Sequence, residues 1–178
     1  MGGMAGAMLT PLPAASMIVL RDSPLEVLLL RRHERASFVP NAWVFPGGIV
    51  EGDETPEEAA ARETREEAGL EIDPASLVAT SRWITPKGIP KRFDTWFFLA
   101  KVPRDTAVNI DRTEVVDAMW IRPADALARR DLHLVFPTIK NLQALVDFES
   151  ADALIDSRRG ANIEPVQPVL VNGKPTLP

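Results

Sequence analysis

Three glutamates carry the first chemical signal in the chain. Glu63, Glu66 and Glu67 stand in the stretch GIVEGDETPEEAAARETREEAGL, residues 48–70. On a helix, positions i, i+3 and i+4 share one face, so these carboxylates crowd together. Left solvated, each like-charged pair costs roughly 0.2–0.5 kcal/mol. A hard divalent cation prefers oxygen ligands and would turn that repulsion into attraction. The competing reading is a charged, solvated helix in which Arg62 pairs with Glu58 and Glu66 and Arg65 assists. Charge alone leaves both open.

The stretch also predicts its own helix. Asp53 and Thr55 are candidate caps, Pro56 suits a first helical position, and Glu57 and Glu58 suit the positive end of the helix dipole. The helix is predicted to run to about Ala68, where Gly69 can take the left-handed stop. Ala60, Thr64 and Ala68 repeat every four residues on another face. They are small enough for close packing against a sheet.

The full spacing resembles the signature of the Nudix hydrolases. That signature is Gly, five residues, Glu, seven residues, Arg-Glu, a bulky apolar residue, any residue, Glu-Glu, any residue, Gly and an apolar residue. Gly48, Glu54, Arg62, Glu63, Glu66, Glu67, Gly69 and Leu70 fall in register. Thr64 departs from it, standing where the family has the bulky apolar residue. Threonine keeps a methyl group for packing, so the expectation is a slightly looser helix–sheet contact and no lost ligand.

The resemblance implies a Nudix-type α/β/α sandwich with a central mixed β-sheet. It also implies Mg²⁺- or Mn²⁺-dependent hydrolysis of a diphosphate bond in a nucleoside-diphosphate-linked small molecule. Carboxylates alone would repel such a polyanion, so cations must bridge protein and substrate and orient the attacking water. By position in the motif, Glu63, Glu66 and Glu67 are the implied metal ligands, with the Gly48 carbonyl as an additional one. Glu54 and Arg62 are the implied structural pair tying the loop to the helix. The family's general base varies in position: one of the helix carboxylates is a candidate. So is Glu114, just before the strand that holds Trp120, as base or further ligand; a solvated loop acid is its plain alternative.

The rest of the chain must position this helix. Ala15–Leu20 and Leu25–Arg31 are apolar runs around Arg21-Asp22-Ser23-Pro24, which predicts a hairpin. Arg31, Arg32 and Arg35 follow, and Arg32 is the candidate to meet a substrate phosphate, against a solvated strand end. Trp43 and Phe45 are assigned to the core. Leu77–Ile84 and Arg92–Val102 read as strands joined by the turn-rich Thr85-Pro86-Lys87-Gly88-Ile89-Pro90. Val115–Ile121 reads as another strand, Pro123–Arg130 as a short helix and Phe136–Phe148 as a longer one. Strands and helices interleave without strict βαβ repetition, which suggests a mixed sheet between helices.

Composition bounds the class. The chain has 178 residues, 46% hydrophobic and 25% charged, enough for one domain with a sizeable core. Residues 1–14 are expected to be a flexible lead-in, 15–160 the Nudix domain, and 161–178 a Pro-rich tail, extended, packed down or frayed. A net charge of −5 offers no general basic field for a nucleic-acid polymer or an anionic membrane. No apolar run approaches the roughly 20 residues of a membrane span. Cysteine is absent, which excludes disulfides and thiolate chemistry and fits a reducing, cytoplasmic setting. His33 and His133 lack partners at metal-ligand spacing. A homodimer is left open.

Outside the acidic stretch, three segments are similar to the Nudix branch containing peroxisomal coenzyme A diphosphatases. They are residues 38–48 (FVPNAWVFPGG), 81–86 (SRWITP) and 91–98 (KRFDTWFF). The resemblance implies coenzyme A or an acyl derivative as substrate, with Arg92 near a phosphate and Trp83 or Phe93 flanking an adenine. Core packing is the alternative for both aromatics. The chain is short for that branch and ends Thr-Leu-Pro, without a peroxisomal Ser-Lys-Leu-type signal. ADP-ribose or another dinucleotide remains the alternative substrate. A non-catalytic nucleotide-binding domain is the alternative class, although no carboxylate of the motif has been lost.

Overall fold

The computed structural model describes residues 10–178. The elements run β1 (Leu12–Arg21), β2 (Glu26–Arg32), β3 (Trp43–Val44), β4 (Gly47–Ile49), α1 (Pro56–Ala68), β5 (Val78–Ile84), β6 (Phe93–Lys101) and β7 (Val115–Ile121). They continue with α2 (Pro123–Ala128), α3 (Phe136–Leu145), α4 (Ala151–Arg158), β8 (Pro165–Val166), β9 (Val169–Val171) and β10 (Lys174–Thr176).

One mixed sheet organises the molecule, in the order β3-β2-β1-β6-β5-β8, with β4 also on β1 and β7 also on β2. β1 lies parallel to β6 from Leu12↔Phe93 to Leu20↔Lys101, and β8 lies parallel to β5; the other pairs are antiparallel. Both faces are covered, and the strand sequences show why. In β1, Ala15, Met17 and Val19 enter the core on the α1 side, while Ile18 and Leu20 enter the core beneath α3 and α4. In β2, Leu28 and Leu30 take the first side, and Val27 and Leu29 the second. A strand buried on both faces reads as a continuous apolar run, as these two do. The α/β/α sandwich with a mixed sheet is therefore the observed fold.

Several boundaries differ from the sequence expectation. The first nine residues of the expected lead-in lie outside the described residues, and Leu12–Ala14 already belong to β1, held by β6. Helix α4 is absent from the sequence reading. Its apolar residues, Ala151, Leu154 and Ile155, are too few to show a helical period, but all three are buried. Of the three alternatives for the C-terminal segment, the packed-down one describes its first part, and the hairpin that follows was not expected. Val166 packs on the core, and Val169–Thr176 folds into a hairpin. Trp43 and Phe45 are core residues, as expected.

Candidate active site

Helix α1 starts as its sequence dictates. The Thr55 hydroxyl accepts the Glu58 N–H at 3.1 Å, Pro56 occupies the first turn, and Gly69 closes the helix at φ 70°. Ala60, Thr64 and Ala68 are fully buried. Thr64 satisfies its hydroxyl by donating to the Ala60 carbonyl at 2.7 Å, so the polar atom at this apolar position costs no unpaired group.

The acidic face then lies against β4. Glu67 is only 3% exposed, and its Oε1 accepts the Gly47 N–H at 3.0 Å. Burial pushes its carboxyl up to about 8, against the pull of the Gly47 N–H; the Glu63 and Glu114 charges add to the rise and the Arg32 charge opposes it. Glu63 is also raised by burial, opposed by its bond to Arg62, with the Glu66 and Glu114 charges adding to the rise. Glu66 is half exposed and meets Arg62 Nη1 at 3.3 Å.

Arg62 ties this face to the preceding loop. Its Nε and Nη2 fork onto Glu54 at 2.9 and 2.8 Å, and Nη2 also donates to the Ile49 carbonyl at 3.1 Å. Nη1 reaches Glu63 at 2.9 Å. The fork holds the Glu54 carboxyl down to about 2. Glu58, expected to pair with Arg62, turns instead to the Thr55 hydroxyl at 3.2 Å, where it completes the helix cap.

Glu114 comes from another element, the loop before β7. The pairing Arg32↔Val115 and the bond from His33 N–H to the Glu114 carbonyl at 2.9 Å fix its backbone. The Asp111 carboxylate shapes the loop before it by accepting the N–H groups of Thr113 and Val115. The Glu114 charge acts on both Glu63 and Glu67. Four acids separated by up to 51 positions thus share one electrostatic neighbourhood.

Comparison with known proteins gives the family. The model of the NUDIX domain matches residues 10–141. The chain belongs to the Nudix family. It is 29% identical over 155 residues to putative nudix hydrolase 7 of Caenorhabditis elegans, covering 64% of this chain and 52% of that protein. It is 33% identical over 109 residues to an RNA pyrophosphohydrolase of Pseudomonas putida, covering 54% of this chain and 65% of the relative. The chain thus spans about half the length of the first relative and just under two thirds of the second. A Nudix hydrolase from Alicyclobacillus acidocaldarius superimposes with a TM-score of 0.73 at 27% identity, over 84% of this chain and 97% of that one.

Nudix proteins generally use divalent cations, and the donor set here fits one. Glu63, Glu66 and Glu67 offer hard oxygen ligands, and two of them are carboxyls whose burial resists ionisation without a compensating positive charge. Gly48 forms part of the cradle: a Cβ there would lie 2.5 Å from the Glu63 carboxylate, so glycine leaves that carboxylate where it is. Among the described residues, no three acidic or histidine side chains converge as a ready-made cation cage. In the arrangement seen, Arg62 takes up oxygens of both Glu63 and Glu66.

The other expected contacts divide. Arg32 donates through Nε to the Phe38 carbonyl at 2.8 Å, and its charge opposes the rise of the Glu67 carboxyl. Arg92 is 8% exposed, and its Nε and Nη2 both hold the Thr85 carbonyl, at 3.1 and 3.0 Å. Trp83 is buried in the core, edge-on to Phe136, and Phe93 packs edge-on to Phe38 at 5.2 Å. The Gly47 N–H that fixes Glu67 escaped the sequence reading. The doubled glycine of Phe45-Pro46-Gly47-Gly48 was its available signal.

Proposed function

We propose that this protein is an Mg²⁺- or Mn²⁺-dependent hydrolase of a diphosphate bond in nucleoside-diphosphate-linked small molecules. The observation that carries the reading is the acidic face of α1, Glu63, Glu66 and Glu67, laid against β4 with Glu67 buried on the Gly47 N–H. We assign the first three, with the Gly48 carbonyl, to holding the cation. When bound, that cation neutralises phosphate oxygens and lowers the pKa of a coordinated water.

The chain's own residues set the geometry. Gly47 fixes the Glu67 carboxylate, and the Glu54–Arg62 fork fixes the loop that carries Gly48. Arg32 is the guanidinium we assign to a substrate phosphate, because its charge acts on Glu67. Water adds to one phosphorus, the bridging oxygen leaves with the other phosphate, and a carboxylate takes the proton released. Glu114 suits that part, or that of a further ligand, because its charge acts on Glu63 and Glu67 from a separate element. For Arg92 the geometry favours framing the β5–β6 connection over meeting substrate. The catalytic unit is residues 15–160, extended back to the start of β1.

Coenzyme A or an acyl derivative rests on the resemblance of residues 38–48, 81–86 and 91–98 alone. The aromatics of those segments are spent largely on packing. The RNA pyrophosphohydrolase relative adds RNA to the substrates worth testing, although a net charge of −5 disfavours a long polyanion. ADP-ribose and dinucleoside polyphosphates complete the set. The cytoplasmic assignment rests on the cysteine-free composition; no helix among the described residues is long and apolar enough to cross a membrane.

The test is a panel of these substrates with Mg²⁺ and with Mn²⁺, products read by mass. Cleavage at a diphosphate that disappears in Glu66→Gln and Glu67→Gln is the expected result. Nucleotide binding without product under either metal would turn the assignment to the non-catalytic class.

A further inference from the structure

The last fourteen residues carry a surface that the acidic site does not require. Four of the seven large apolar side chains left exposed among the described residues fall here: Val169, Leu170, Val171 and Leu177, each between 36% and 50% accessible. They lie on or beside the β9–β10 hairpin, which turns through Asn172 and Gly173, both at positive φ. The Cδ1 of Leu170 lies against Gly88 in the β5–β6 connection. A two-stranded sheet is marginal in water on its own. The segment also lies beyond the matched domain, which ends at residue 141.

The two edges of the hairpin are not equivalent. β10 carries Lys174 and Pro175, a charge and a missing N–H, the two devices that most often blunt a sheet edge. β9 is Val-Leu-Val, with neither. Among the described residues its backbone pairs only with β10. Charge leaves a second copy free to approach it. Between Pro165 and Pro178 the sole charged side chain is Lys174, in a chain of net charge −5. Two copies meeting here bring no carboxylate side chains face to face, and the lysines stay on the outer strands.

We propose that β9 pairs antiparallel with β9 of a second copy, about a two-fold axis near Leu170, to form a homodimer. The result is a four-stranded ribbon, β10-β9-β9-β10, in which Val169 of each copy lies opposite Val171 of the other. Such an isologous contact uses one patch twice and needs no second surface. The patch is small, so the association is weak and concentration-dependent.

Sedimentation velocity on the full chain, from low to high micromolar, reads the equilibrium directly. Dimer is expected to grow with concentration, and Val171→Lys is expected to weaken it by about ten-fold or more. Its melting temperature should stay unchanged, since this side chain is already half exposed. The cysteine-free chain allows a second measurement: Leu170→Cys should give a disulfide-linked dimer on mild oxidation, and Asn172→Cys much less. A wild-type chain that stays monomeric throughout overturns the proposal. So does a Val171→Lys variant that dimerises like wild type, or equal cross-linking at positions 170 and 172.

Discussion

The Gly47 N–H donates to Oε1 of Glu67 at 3.0 Å, joining strand β4 to a carboxylate twenty residues later. That one bond opposes the burial that lifts the Glu67 carboxyl to about 8. The residue is therefore kept in a state that disfavours its own charge.

Removing that charge is expected to stabilise the cation-free protein while abolishing its chemistry. The folded-state pKa lies above the ordinary glutamate value near 4.3, so the protonated form's contribution is full below that value and is lost as pH rises through 8. Glu67→Gln keeps an acceptor for Gly47 and escapes the loss. With a chelator present, its unfolding free energy should exceed that of wild type by on the order of 1–3 kcal/mol above pH 8, with little gap below pH 4. Its kcat/KM with Mg²⁺ should fall by about 100-fold or more, which is roughly 2.7 kcal/mol of transition-state stabilisation. Denaturant melts at several pH values check the first expectation. Equal stability at high pH would contradict the burial argument.

The Glu54–Arg62 fork has the opposite pH signature. Glu54 is depressed to about 2, so its contribution is present above the ordinary carboxylate range and is lost as pH falls toward 2. Arg62→Lys keeps the charge but cannot span both Glu54 oxygens and the Ile49 carbonyl. It should cost about 1 kcal/mol at neutral pH, with the gap to wild type closing below about pH 3. Thermal melts from pH 2 to 8 measure this.

The two adjacent glycines should fail in different ways. A methyl group at Gly47 meets the Ala15 carbonyl oxygen at 2.5 Å, and backbone in the middle of a sheet cannot give way. Gly47→Ala should destabilise by about 1–3 kcal/mol. At Gly48 the obstacle is the Glu63 side chain, which can rotate aside. Gly48→Ala should therefore keep most of its stability and lose activity and cation affinity, the latter read by calorimetry.

The acidic site was legible because a helix makes spacing equivalent to geometry. Glu63, Glu66 and Glu67 share a face by arithmetic, and Thr55, Pro56 and Gly69 mark the ends by their backbone chemistry. The core strands were legible for the same reason, since β1 and β2 are apolar on both faces. Contacts between elements were not. That Gly47 would donate to Glu67 depends on β4 pairing with β1, and Arg92 turning inward to Thr85 depends on a loop path no local pattern fixes. Likewise α4 has too weak an apolar period to announce itself. Its place is set by Asp22, whose carboxylate accepts the Ala151 N–H at 2.7 Å from 129 positions away.

Glu114 provides the sharpest test of the assembled site. Its charge raises the carboxyls of both Glu63 and Glu67, so removing it should let each ionise at lower pH. If Glu114 only neighbours the site, Glu114→Gln should shift the acid limb of the kcat/KM profile to lower pH with a modest change in rate. If it takes the proton or binds the cation, the plateau itself should fall by about 100-fold or more, since a missing base or ligand is not restored by changing pH within the profile. We expect the fall. An intact plateau with a displaced acid limb would move the base onto one of the α1 carboxylates and leave Glu114 as an electrostatic neighbour alone.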